Sequence, residues 1–215
     1  MQTRKVKLDF SKLYSYIPYQ KRYRPAERNL LDGYFEVERL ISSRKIDRET
    51  EYMVNWENYF AYSCTWEPEQ NLPNNIIHEF NFPSSPQPGI AVTSHDFTSA
   101  CHSRLSQRTA NHFYISFHHD IFRFLFGGKG IVSKGRDTLY TRFDFETFDL
   151  PQNWHKLVYT EKGEGRQIVF PIALHPVLRW SRKHFVFDCE GSLKEAPIMP
   201  IELLKVHRQI LKQLR

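Results

Sequence analysis

The chain of 215 residues holds only three cysteines, at positions 64, 101 and 189. An odd number at such wide spacing makes a disulfide framework unlikely in chemical terms and suits a reducing interior. No apolar run approaches the roughly 18 residues a membrane helix requires, so no membrane partner is expected. The opening Met1-Gln-Thr-Arg-Lys-Val-Lys lacks the apolar h-region of a secretory leader. No internal repeat of fixed period and no long low-complexity tract interrupts the chain. What is present is 40% hydrophobic and 25% charged residues, an ordinary globular balance, with an aromatic content of 15% and a net charge of +6. The length suits one large domain or two small ones, each able to bury a core.

The charge is unevenly spread. Residues 1–33 carry eight basic against three acidic residues, and residues 34–82 carry four basic against nine acidic. Residues 83–109 are near neutral at +1, and residues 110–215 return to +5. An acidic island between basic stretches points to separate partners for separate segments. The first 33 residues interleave Lys and Arg with Phe10, Tyr14, Tyr16, Tyr19 and Tyr23. That mixture suits DNA or RNA contact, and equally suits tyrosines packed on a domain with solvated charges around them. Phe82-Pro-Ser-Ser-Pro-Gln-Pro-Gly89 cannot continue a helix or a central strand, so a Pro/Ser-rich linker is expected over 83–109. The expected division is a basic Tyr-rich arm at 1–33, a small domain at 34–82, the linker, and a second domain at 110–215.

The small domain reads as three strands and a helix. Phe35-Glu-Val-Glu-Arg-Leu-Ile41 alternates, with Phe35, Val37, Arg39 and Ile41 on one face. Arg48 to Trp56 is a second strand, entered from the polar turn Ser42 to Asp47, and a third lies near Cys64-Thr-Trp-Glu before Pro68. Pro73 to Phe80 has Ile76, Ile77 and Phe80 at helical spacing. Three aromatics stand out: Phe35 opening the first strand, Trp56 ending the second, and Tyr59 just after it. Alone, each is more often a core residue than a binding one. Together, Phe35-Glu-Val-Glu-Arg-Leu-Ile, Tyr52-Met-Val-Asn-Trp-Glu-Asn-Tyr59 and Thr65-Trp-Glu-Pro-Glu-Gln-Asn-Leu72, followed by Ile76-Ile-His-Glu-Phe80, resemble a chromodomain of the heterochromatin-protein and Polycomb type.

The resemblance implies a three-stranded antiparallel sheet closed by a helix, and a reader of methylated lysine. A trimethylammonium group cannot donate a hydrogen bond, so carboxylates recognise it poorly. Aromatic faces around it supply quadrupole attraction worth on the order of 2 kcal/mol when desolvated. Carried over position by position, the cage is Phe35, Trp56 and Tyr59. The histone H3 tail, trimethylated at a lysine 9 or lysine 27 type site, would add as a strand between two flanks. Those flanks are Tyr34, Glu36 and Val37 on one side and Glu67 to Asn71 on the other. Trp66 is expected in the core. This sequence departs from relatives at three places: Phe35 where many have Tyr, Ser63 where several have an acid, and Asn58 in place of a frequent Gly. Losing the acid at 63 favours the trimethyl form, and Asn tolerates positive φ.

The second half shows strand signals in Arg142 to Phe148, in Leu157 to Thr160 and Gln167 to Phe170 about a Gly-rich turn, and in His184 to Asp188. Pro200 to Leu214 has Leu203, Val206, Ile210 and Leu214 in one helical stripe. An α+β domain of antiparallel strands ending in a helix is expected, faintly similar to a chromoshadow domain. It is assigned partner recruitment or homodimerisation. Gly127-Gly-Lys-Gly130 lacks phosphate-loop spacing, and His118-His-Asp120 lacks zinc-ligand spacing. No catalytic residue, metal or cofactor is expected, and the protein reads as a non-enzymatic nuclear chromatin factor. The alternative is a nucleic-acid-binding chromatin adaptor that relies on the basic arm and basic second half.

Overall fold

Asp47 and Arg48 both adopt positive φ, 48° and 74°, which makes a tight two-residue turn between two strands. The turn joins β1 (Val37–Ile46) to β2 (Glu49–Trp56), and β2 then pairs with β3 (Thr65–Pro68), all antiparallel. The computed structural model describes residues 35–84, 87–107, 112–133, 137–187, 192–196 and 198–211. The basic arm at 1–33, Tyr34 and Cys189 lie outside these. Two register shifts in β1, after Val37 and after Leu40, break the expected simple alternation. Leu40 and Ile41, adjacent in sequence, are therefore both buried. Helix α1 (Asn74–Asn81) lays Ile76, Ile77 and Phe80 over a core of Leu40, Tyr52, Val54 and Leu72.

The expected linker over 83–109 is instead largely helix: α2 spans Gln87–Ser106. Pro88 falls in the first turn, where a helix does not need its N–H. Ile90, Phe97, Cys101 and Leu105 then recur on one face and enter the main core. Polar residues on the same helix hide this period in the sequence, because Thr93 and Ser94 are also buried and the Ser94 hydroxyl bonds to the Asp149 carbonyl.

The second half continues with β4 (His112–Ser116), α3 (His119–Phe126), β5 (Ile131–Val132), β6 (Thr138–Tyr140), β7 (Lys156–Val158), β8 (Gly165–Trp180), β9 (His184–Phe187), β10 (Leu193–Ala196) and β11 (Pro200–Leu211). Its main sheet runs β4-β11-β8-β6-β5, with β7 also paired to β8, while β9 and β10 form a separate hairpin. The hairpin expected about residues 161–165 is present as β7 and β8, with Gly163 at φ 84°. Two expected elements differ. Arg142–Phe145 is a 3-10 turn and no strand, because the Asp144 carboxylate accepts hydrogen bonds from the Thr141 N–H and hydroxyl at 2.6 and 2.8 Å. The expected C-terminal helix is strand β11. Pro200 stands at its first residue, where a strand tolerates a missing donor. Leu204 and Val206 point into the core at a spacing of two, and β4 and β8 flank the strand on either side.

Phe35–Arg215 cluster as one compact unit. Two arginines tie β1 and α1 to the second half. Arg39 of β1 reaches both oxygens of Glu202 on β11, one of them at 3.1 Å, and lies 3.5 Å from Asp120. Glu202 also accepts from the His119 backbone N–H at 2.7 Å, and His118 Nδ1 is 3.5 Å away. Arg123 of α3 donates to the Leu40 and Ile41 carbonyls at 3.0 and 3.1 Å and stacks 3.8 Å over Phe80. Burial pushes the Glu202 carboxyl up, but bonds from His118 and Arg39 and the Arg39 charge hold it well below the ordinary range. His118, Asp120 and Glu202 gather ligand atoms within 4.8 Å of one another, and the cation among them is the Arg39 guanidinium.

Two stability outcomes follow from these buried groups. Glu202→Gln removes the nearer of two counter-charges from the half-buried Arg39, leaving Asp120 at 3.5 Å, and should cost about 1–3 kcal/mol in urea unfolding. The folded carboxyl titrates below the unfolded one, so its contribution is present above the ordinary glutamate range and lost as pH falls beneath it. His155 is 4% exposed, and its Nδ1 has no hydrogen-bond partner. Burial, with the Arg142 and Lys156 charges, lowers it from 6.5 to about 4. The unfolded chain therefore binds the extra proton between those values, and stability climbs with pH across that window. Thermal melting of His155→Leu should show a flatter climb there than the unaltered chain.

Candidate functional site

The three aromatics of the expected cage are brought together by the first sheet. Phe35 stands two residues ahead of β1, Trp56 closes β2, and Tyr59 sits in the turn that follows. Hydrogen bonds from Glu57 N to Glu36 O, 2.8 Å, and from Tyr59 N to Trp56 O, 3.2 Å, fix that turn. Asn58 supplies its positive φ of 63°, as Asn tolerates. The Phe35 ring centroid lies 5.9 Å from both Trp56 and Tyr59, with interplanar angles of 64° and 72°. Phe35 is 59% exposed and Tyr59 46%, so two walls of the group face solvent. Trp56 is half-buried against the small core, and its Nε1–H donates to Thr65 Oγ1 at 3.1 Å. The Thr65 hydroxyl in turn donates to Glu67 Oε1 at 2.6 Å, which orients the indole from behind.

The flanks expected to hold a peptide are partly in view. Glu36 is exposed and Val37 half-buried at the start of β1; Glu67 is half-buried on β3, and Asn71 is exposed at the end of the 3-10 turn Glu69–Asn71. Tyr34 lies outside the described residues. Arranged this way, the rings offer π-faces to a cation small enough to approach within about 6 Å of each centroid, in surroundings rich in carboxylates. The Cys64 thiol lies just ahead of β3. Burial pushes it up to about 11, and it donates to Asn55 Oδ1 at 3.4 Å.

Two features depart from the sequence pattern. Trp66 is half-buried outside the small core, with the Arg44 guanidinium 4.1 Å over its ring. It pairs with Met53 on edge strand β3, and Met53 alternates to the face opposite Tyr52 and Val54. Phe60 and Tyr62 form a stacked pair, centroids 5.0 Å apart, and are 50% and 43% exposed. They widen the aromatic surface next to Tyr59. Their one sequence signal is the aromatic run Tyr59-Phe-Ala-Tyr62 in a segment without strand alternation.

Exposure separates the cage residues energetically. Tyr59→Ala should leave urea unfolding within about 0.5 kcal/mol of the unaltered chain, as for most exposed positions. Trp56→Ala should cost roughly 1–3 kcal/mol, less than the 3–5 of a fully buried Trp. Trp66→Ala should fall in the same intermediate range and leave the domain folded.

Residues 35–81 match the family model of the Chromo (CHRromatin Organisation MOdifier) domain. The human "Chromodomain Y-like protein" is 47% identical over 49 residues, which are 21% of this chain and 8% of that protein. Its rat counterpart is 43% identical over 53 residues, 23% of this chain and 9% of that protein. The human "Testis-specific chromodomain protein Y 1" is 42% identical over 50 residues, 22% of this chain and 9% of that protein. The chain thus spans under a tenth of the length of these relatives. No solved structure matches it, and no family model covers its C-terminal half. The match in sequence and the sheet, helix and aromatic group built by the same residues agree: residues 35–81 are a member of the Chromo domain family.

Proposed function

We propose that this chain is a non-enzymatic nuclear chromatin reader whose Chromo domain binds a trimethylated lysine of the histone H3 tail, of the lysine 9 or lysine 27 type. The observation that carries the reading is the exposed aromatic group, with Phe35 at 5.9 Å from both Trp56 and Tyr59. A trimethylammonium ion recognised by three rings needs neither a metal nor a catalytic group. Acidic surroundings from Glu36, Glu57 and Glu67 suit a tail rich in lysine and arginine. Val37, Glu67 and Asn71 would line the added peptide strand.

The second half would then carry protein association, by recruiting another chromatin factor or a second copy. What supports this is apolar surface about the β9–β10 hairpin. Phe185 and Leu193 share one of its faces at 60% and 58% exposure, and Trp180, Ile198 and Met199 are exposed nearby at its base. Monomers rarely leave such groups in solvent without use. Contact of the basic arm with DNA or RNA would add salt-dependent affinity.

Calorimetry with H3 peptides tests the reader assignment. The trimethylated peptide should bind and the unmethylated peptide should not. Tyr59→Ala should weaken binding by about thirtyfold, equivalent to the 2 kcal/mol of a desolvated cation–π contact, while melting unchanged. Equal binding of both peptides, or full affinity in a folded Tyr59→Ala chain, would remove the cage from the function.

A further inference from the structure

Three histidines meet on the open side of the six-stranded sheet, away from the Chromo domain's aromatic group. His112 begins β4, His207 pairs with it from β11, and His175 lies on β8. Register puts all three on one face. His207 pairs with Ala173 as well as with His112, and His175 stands two residues beyond Ala173, where a strand returns to the same side. The intervening residues Phe113, Leu174 and Val206 are core. The imidazole centroids are 5.3 Å apart for His112 and His207, and 5.8 Å apart for His175 and His207. From the strand entering β6, the Asp137 carboxylate lies 3.4 Å from His175 Nε2.

The two spacings to His207 are of the size a shared ligand requires, and His112 and His175 flank it from the strands on either side. Metal–nitrogen bonds of about 2.0–2.1 Å in a tetrahedral site put two imidazole centroids roughly 5 Å apart. His112 and His207 are stacked with their rings inclined by 25°, so both must turn about their side-chain torsions to aim a nitrogen at one ion. Long strands β8 and β11 hold two of the three residues on one rigid ladder. Lys205 opposes a dication and the Asp137 carboxylate offsets it. A carboxylate on Nε2 of His175 leaves Nδ1 as its ligating nitrogen, a carboxylate partner being the usual support for a histidine ligand. The group at His118, Asp120 and Glu202 differs, since Arg39 already fills it.

We propose that His112, His175 and His207 form a binding site for a divalent transition-metal ion of the zinc type, with Asp137 orienting His175. Imidazole nitrogen is a ligand type that zinc, copper and nickel accept. The three strands leave the outward coordination position open to water or to a group from another molecule.

Calorimetric titration of the tag-free full chain with Zn2+ tests the site, with melting followed in parallel. One ion should bind per chain and raise the melting temperature. His112→Ala and His207→Ala should each abolish both effects, and Asp137→Asn should weaken binding by about tenfold. His112 is exposed at the start of its strand, so its variant keeps the fold even where the His207 variant does not. His118→Ala should bind Zn2+ as the unaltered chain does. Failure of the unaltered chain to bind, undiminished binding in folded His112→Ala, or loss in folded His118→Ala would overturn the site.

Discussion

The contact between Arg39 and Glu202 joins a residue of the first strand to a residue of the last, across 163 positions of sequence. Neither ion can be buried alone at tolerable cost, so each needs the other to be in place. Glu202 is further held by the His119 N–H and by His118, which brings the start of α3 to the same point. One carboxylate thus fixes β1, β11 and α3 with respect to each other. Burial of a charge pair is weak evidence for net stability, but it is strict about geometry. Any arrangement that separates the strands takes the nearest cation from a Glu202 side chain that is only 10% exposed. The Chromo sheet and the second sheet therefore belong to one compact unit instead of two beads on a linker.

That geometry bears on the aromatic group. Phe35 lies four residues before Arg39, at the entrance to the same strand, and its ring reaches Trp56 and Tyr59. The strand that supplies one cage wall is thus the strand anchored to β11. Arg123 adds a second anchor, satisfying the Leu40 and Ile41 carbonyls where β1 shifts register. Those carbonyls lie on an edge strand, and an edge with unpaired groups invites wrong pairing. A guanidinium that bonds to them and stacks on Phe80 closes the edge with the protein's own second half.

Legibility in the sequence followed the range of the deciding interactions. The Chromo sheet, its closing helix and the aromatic trio rest on local spacing, tight turns and near neighbours, and all were readable. Pro200 to Leu211 was not, because Leu203, Val206 and Ile210 fit a helical stripe while Leu204 and Val206 fit a strand. Pairing with β4 and β8, distant in sequence, decided between them. The stretch after Phe82 failed for the opposite reason. Its prolines and serines resembled a linker, but Phe97, Cys101 and Leu105 had a buried surface waiting in the second half. Trp66 was misread by residue type alone. Its strand has an open edge, so a large aromatic there is covered by Arg44 in place of a core.

The same constraints explain why the Chromo domain leans on its neighbour. A domain of about 50 residues is marginal because its surface is large for its volume. Only Leu40, Tyr52, Val54 and Leu72 form its fully buried cluster. Phe35 and Tyr59 face solvent, so two of the domain's large aromatics contribute little to that cluster. Solvent exposure of these rings and burial of a core thus compete for the same few apolar side chains. The second half supplies the missing support, since Glu202 receives Arg39 and Arg123 of α3 donates to the Leu40 and Ile41 carbonyls. A site kept open on one edge of a small sheet is compatible with a stable chain because another edge is closed by residues more than 80 positions away.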